Sequence, residues 1–93
     1  MGEGSFKAPK GLIRVRVKAK SSEIATITIA GDFFMYPEDS LWDLETKLKG
    51  TKTRREDITE KIREFYRSSN VLTPGVSPED FAEAIMRALD ATD

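Results

Sequence analysis

The side chains that could do chemistry in this chain are carboxylates, guanidiniums, amines and aromatic rings, because the sequence contains no cysteine and no histidine. That composition removes disulfide staples, thiolate and imidazole metal ligands, and the commonest general base. The densest stretch is Gly31-Asp32-Phe33-Phe34-Met35-Tyr36-Pro37-Glu38-Asp39, which places three of the eight aromatic residues between acidic ends. Asp32 with Glu38 or Asp39 nominally makes a carboxylate pair for acid–base work. Acidic residues ahead of a helix more commonly complement the positive end of its dipole. No calcium-loop spacing, phosphate-cradling glycine loop or nucleophile elbow accompanies them. The expectation is a chain without catalytic, cofactor-binding or metal-binding residues of its own.

The cations have two addresses. Arg14, Arg16 and Lys18 alternate with Val15 and Val17, so they share one face of a strand. Such a row is either the solvated side of an antiparallel sheet or a patch for an acidic protein, a nucleotide or a nucleic acid. Lys47, Lys49, Lys52, Arg54 and Arg55 form the second group. Lysines near a helix C-terminus account for part of it, and Arg54 and Arg55 read as solvated charge at a helix start. Net charge is −1, yet residues 1–20 carry six bases against Glu3 alone, leaving the remainder of the chain acidic.

These side chains must be positioned by strands first and helices second. Ninety-three residues suit one domain spanning 1–93. Leu12 to Lys20 alternates strictly, with Ile13, Val15, Val17 and Ala19 directed inward. A second β-rich run extends from Glu23 to Gly31, and a weaker one lies around Ser5–Ala8 before a turn at Pro9-Lys10-Gly11. Like faces meet only if Val17 lies opposite Ile27 and Val15 opposite Ile29. That register places Arg14, Arg16 and Lys18 opposite Ala30, Thr28 and Thr26 and predicts a three- or five-residue hairpin loop.

Three helices follow. The first is expected from Pro37 to Lys49, with Leu41, Leu44 and Leu48 as its apolar stripe and Gly50 as terminator. The second opens on Thr53-Arg54-Arg55-Glu56, the spacing of a capping box, and carries Ile58, Ile62 and Phe65 inward. The third has Ser77 as N-cap, Pro78 as first residue, Asp80 as return cap and Val76 as a staple for Phe81, with Ile85 and Leu89 continuing the stripe. The fold class is α+β: a small antiparallel sheet of two or three strands packed against three helices. No apolar run reaches the ~18 residues of a membrane span, so a soluble, cytoplasmic chain is expected.

Strand parity then divides the aromatic run. Phe33 and Met35 fall on the core side, while Asp32, Phe34 and Tyr36 fall on the side of the basic residues. Either the first helix covers Phe34, or Phe34 and Tyr36 anchor a partner, with Arg14, Arg16, Lys18 and Asp32 as the charged surround. Trp42, beside Leu41, either widens the core contact or sits at its boundary.

Taken in order, these segments resemble the C-terminal, or accessory, domain of lipoate–protein ligases. The resemblance runs from Gly11-Leu12-Ile13-Arg14-Val15-Arg16-Val17 to Leu89. It is carried by Ile29-Ala30-Gly31-Asp32-Phe33-Phe34, by Leu44-Glu45 and Leu48-Lys49-Gly50-Thr51, and by Pro74-Gly75-Val76-Ser77-Pro78-Glu79-Asp80-Phe81-Ala82-Glu83-Ala84-Ile85. The resemblance implies a large catalytic partner that binds lipoate and ATP with Mg, forms lipoyl-adenylate and transfers lipoyl to a lysine of a carrier protein. It also implies that the accessory domain serves adenylation more than transfer, and that no catalytic residue of the family maps onto this chain. Because no catalytic domain is present, the separate-subunit, heterodimeric arrangement is expected. The basic face could instead meet the lipoyl carrier protein. The reading from a different class is a small nucleic-acid-binding module using the basic strand and exposed aromatics, which the near-neutral charge and pI ≈ 5.5 disfavour. Neither nucleic acid nor membrane is expected as a partner.

Overall fold

The structure, a computed structural model, describes residues 1–91. Thr92 and Asp93, the end of the expected domain span, lie outside the described residues. Three strands form one antiparallel sheet in chain order, β1 (Gly2–Ala8), β2 (Gly11–Lys20) and β3 (Glu23–Asp32). Three helices follow, α1 (Ser40–Leu48), α2 (Arg55–Ser69) and α3 (Pro78–Asp90). The expected α+β class holds. The first strand is longer than its weak alternation suggested, because Gly2 and Gly4 offer no side chain to mark the inner face.

The register follows from burial. Val17 pairs with Ile27, Val15 with Ile29, Arg16 with Thr28, Arg14 with Ala30 and Lys18 with Thr26. The loop that delivers this register differs from the expected one. Only Ser21 and Ser22 turn the chain, with φ of 56° and 61°, the positive values that a two-residue type I′ hairpin requires at both positions. The extra residue is Ala25, a bulge where pairing shifts between Lys18 opposite Thr26 and Ala19 opposite Ile24. The shift turns Ile24 inward with Ile27; Ala19, opposite it near the end of the hairpin, is exposed rather than buried.

One sheet face is covered, mainly by α3 across β1 and β2. Gly4 permits that approach: a Cβ there would lie 2.4 Å from the Ala88 amide nitrogen. Ala84 and Ala88 face the sheet with Phe81 and Ile85, all fully buried. On α2, Ile58, Ile62 and Phe65 are buried, and on α1 Leu44 and Leu48 are, while Leu41 is half-buried. The capping box of α3 forms as expected: Asp80 N–H donates to Ser77 Oγ and Ser77 N–H to Asp80 Oδ2. Val76 and Phe81 are both buried, as a staple requires, and Leu89 is half-buried.

Two expected helix starts are corrected. The first helix begins at Ser40, not Pro37, which follows Tyr36 through a cis peptide bond and remains outside it. Asp39 holds the N-cap position without a side-chain cap bond. The box at Thr53 does not form. The N-cap is Arg54, and Thr53 directs both its amide and its hydroxyl to the Ser22 carbonyl oxygen, at 3.1 and 3.4 Å. Thr53 therefore ties the hairpin tip to the α1–α2 connection instead of closing a helix end.

The outer edge of β3 is covered at two points. Ile24 exchanges backbone hydrogen bonds with Thr51 and Gly50, and Ile29 N–H donates to the Glu45 carboxylate at 2.6 Å. The second sheet face, carrying Ser5, Arg14, Arg16, Lys18, Thr26, Thr28 and Ala30, packs against none of the helices. Among the described residues no helix is long and apolar enough to cross a membrane.

Candidate docking surface

The aromatic run leaves the sheet at its most crowded point. Gly31 adopts φ +142°, and a Cβ there would come within 2.0 Å of the Leu12 carbonyl oxygen, so only glycine lets β3 close on β2 before turning away. Beyond Asp32 alternate side chains separate. Phe33 packs edge-on against Phe81 at 5.3 Å between ring centres, and Met35 is buried. Phe34 and Tyr36 face outward, 66% and 49% exposed, with parallel rings 6.4 Å apart. The first helix does not cover Phe34, because it starts too late in the chain to reach back over it.

Tyr36 is held by two backbone hydrogen bonds with Leu72, both 2.9 Å. They bring in Leu72, itself 66% exposed, which lies between α2 and α3 and which no sequence pattern singles out. Trp42 is 74% exposed. It stands one turn before Glu45 on α1, the residue that bonds that helix to β3. Trp42 is thus a surface residue and not a core extension. A shallow depression between β3 and α1 is lined by Ala30, Gly31, Phe34, Tyr36, Glu38 and Leu41.

The basic strand joins this surface only at one end. Arg14, Arg16 and Lys18 all face the open side of the sheet. Arg16 donates to the Glu3 carboxylate through Nε and Nη2, at 3.3 and 3.0 Å. Arg14 and Lys18 have no carboxylate partner among the described residues. Asp32 lies opposite Leu12 at the aromatic end of the sheet. Lys18 is six residues further along β2, roughly 20 Å away at about 3.3 Å per residue. The structure therefore brings Asp32, Phe34, Tyr36 and Arg14 to one end and leaves Lys18 at the other. A second depression, on the open sheet face, is lined by Glu3, Ser5, Arg14, Arg16, Thr28 and Ala30.

The nominal acid pair stands in water. Asp32, Glu38 and Asp39 are all exposed, and none accepts a side-chain hydrogen bond or ion pair among the described residues. The carboxylates with displaced titrations lie elsewhere, on the helical layer. The hydrogen bond from Lys47 holds the Glu64 carboxyl below its ordinary value, Arg63 does the same for Glu79, and Arg87 for Glu83. Most of the second basic group is consumed there: Lys47 pairs with Glu64, Arg54 with Asp57 and Arg55 with Glu83. Exposed pairs of this kind are worth little individually, but they remove those cations from the inventory of free contacts.

Residues 3–85 match the family model described as the bacterial lipoate protein ligase C-terminus. The chain is 49% identical over 81 residues to the lipoate-protein ligase A subunit 2 of Thermoplasma acidophilum, covering 87% of this chain and 83% of that protein. It is also similar, with a TM-score of 0.82 and 48% identity, to a chain from the structural analysis of an archaeal lipoylation system of Thermoplasma acidophilum, a bipartite lipoate protein ligase and its E2 lipoyl domain. That likeness covers 89% of this chain and 91% of the other.

Proposed function

This chain belongs to the family of bacterial lipoate protein ligase C-termini, and from that premise we propose that it is the non-catalytic accessory subunit of a two-subunit lipoate–protein ligase. It docks on the catalytic subunit as a heterodimer and favours the state of that subunit that closes over ATP and lipoate, so that lipoyl-adenylate forms. The lipoyl group then passes to carrier proteins, a step that leans on this chain less.

The observation that carries the reading is the outward pair Phe34 and Tyr36, with Trp42 and Leu72 exposed on the elements that flank or fix them. Large rings in water on rigid supports are what interface anchors look like before the partner arrives. Their supports are well determined: Phe33 and Met35 anchor the run from inside, and the Leu72 bridge fixes Tyr36 from the side. Docking alone would change no rate. The catalytic subunit's closed state must be bound more tightly than its open state, and closure then keeps water from the adenylate.

ATP, Mg and lipoate belong in this reading to the larger subunit. No group of three or more carboxylates that could hold a metal ion occurs among the described residues. The open sheet face offers Arg14 beside an already paired Arg16, too few free donors to cradle a triphosphate. The test is lipoyl-adenylate formation by the catalytic subunit with and without this chain, beside lipoyl transfer from preformed adenylate. The expected result is faster adenylation and little change in transfer. Equal adenylation rates would overturn the proposal.

A further inference from the structure

The two depressions have one residue in common. Ala30 lines both the aromatic groove beside α1 and the trough on the open sheet face. It is exposed, its side chain is a single methyl, and its cross-strand neighbour on that face is Arg14. Next to Arg14 on the other side is Ser5, so the row Ser5, Arg14, Ala30 is a low pass with one long cationic side chain in its middle.

We propose that the segment of the catalytic subunit seated on Phe34 and Tyr36 continues across Ala30 onto the open sheet face and places a carboxylate on Arg14. This rests on the docking reading above and adds the path and the charge that complete the contact. A crossing path follows from the state of the β3 edge. Glu45 already takes the Ile29 N–H, and Gly50 and Thr51 take Ile24. A strand adding along the whole of β3 through the main chain would have to displace these contacts, whereas recognition over the side chains of its exposed face leaves them in place. The charge follows from the pairing inventory. Arg16 is engaged by Glu3, and the rest of the trough is neutral and short, so Arg14 supplies its unsatisfied charge. A planar guanidinium with no partner is matched best by a carboxylate taken in two parallel hydrogen bonds.

The experiment titrates the catalytic subunit with the wild-type chain and with Arg14→Gln, Lys18→Gln, Ala30→Glu and Thr26→Glu, at low and high salt. Ala30→Glu places a carboxylate directly opposite Arg14, where it would occupy the guanidinium and obstruct the pass; Thr26→Glu does the same for Lys18 at the far end. Arg14→Gln should weaken Kd by about tenfold at both salt concentrations, as expected for a desolvated charge pair rather than a salt-screened rim charge. Ala30→Glu should weaken it at least as much, while Lys18→Gln and Thr26→Glu stay within about twofold. Equal losses for Arg14→Gln and Lys18→Gln would mean general steering and would overturn the proposal, as would no loss for Arg14→Gln. Phe34→Ala separates the two claims. If it weakens binding and Arg14→Gln does not, the path fails and the docking reading stands; if neither weakens binding, both fail. Binding of ATP or inorganic phosphate to the isolated chain that Arg14→Gln abolishes would assign the guanidinium to a phosphate and overturn the carboxylate assignment.

Discussion

Replacing Phe34 by alanine removes a ring that touches little of its own fold. A phenylalanine side chain offers roughly 200 Å² to burial, and 66% of Phe34 is in water, so a partner has about 130 Å² left to cover. At about 25 cal/mol per Å² that area is worth up to about 3 kcal/mol. Partial coverage halves it, so the loss of affinity should fall between about 10-fold and 150-fold. Within the chain the covered third of the residue, which includes its parallel contact with Tyr36, is worth about 1–2 kcal/mol, so the melting temperature should fall by roughly 4–16 °C. Isothermal titration against the catalytic subunit reads the first quantity and calorimetric melting of the chain alone reads the second. Adenylate formation measured against chain concentration adds a discriminating arm: at saturation the variant should stay below the wild-type rate, because a ring covered only in the closed state supplies part of the preference for that state. A variant that folds normally and binds within threefold of wild type would refute the reasoning. Only a different face could then carry the interaction.

Three further outcomes concern the fold that holds this surface. Thr51 Oγ1 is buried without a hydrogen-bond partner, so Thr51→Val should raise stability by about 1 kcal/mol in a urea melt; a loss would reveal a partner for the hydroxyl. Ser21 and Ser22 hold positive φ without glycine, and Ser21→Asn with Ser22→Gly should add about 0.5–1 kcal/mol, the relief of left-handed strain less the entropy glycine adds to the unfolded chain. Burial raises the titration of Tyr66, whose hydroxyl lies 2.6 Å from Thr73 Oγ1. A folded value above the unfolded one means its contribution is complete below about pH 10 and disappears as pH rises through the raised value. Alkaline melts should therefore fall more steeply for wild type than for Tyr66→Phe, while at neutral pH the variant should be about 1 kcal/mol weaker for the lost hydrogen bond; parallel alkaline curves would contradict the assignment.

Much of this was written in the sequence wherever a side chain can face only one of two ways. The strand register was legible because a slip would have put Ile27 and Ile29 in water. The bulge was not read: the extra residue was expected in the hairpin loop, although Ile24, three positions before Ile27 and so out of phase with it, carried the signal for one at Ala25. The false helix start at Pro37 and the false box at Thr53 have a common origin. Both are local patterns for which a tertiary contact competes, the Tyr36–Leu72 bridge in one case and the Ser22 carbonyl in the other. Phe34 and Tyr36 were legible as outward residues by parity. Leu72 was not, since nothing local marks a residue whose position is set by pairing with a segment 36 residues earlier. Trp42 carried a usable signal, its offset from the Leu44 and Leu48 stripe, which points away from the core.

The size of the effect demanded of this chain is modest. Raising the population of a closed catalytic state tenfold requires that the chain bind that state about 1.4 kcal/mol more tightly than the open one. Full coverage of the Phe34 ring is worth about twice that. One aromatic residue that is buried in the closed complex and uncovered in the open one is therefore enough, and no reactive group need be contributed. What the fold must supply is rigidity, because a ring free to follow its partner would be covered equally in both states and would bias nothing. The Gly31 closure on Leu12, the Phe33–Phe81 contact and the paired Tyr36–Leu72 backbone fix the direction in which Phe34 and Tyr36 project. A loosened support should therefore leave docking largely intact while erasing the rate effect, whereas removing the ring itself should weaken both.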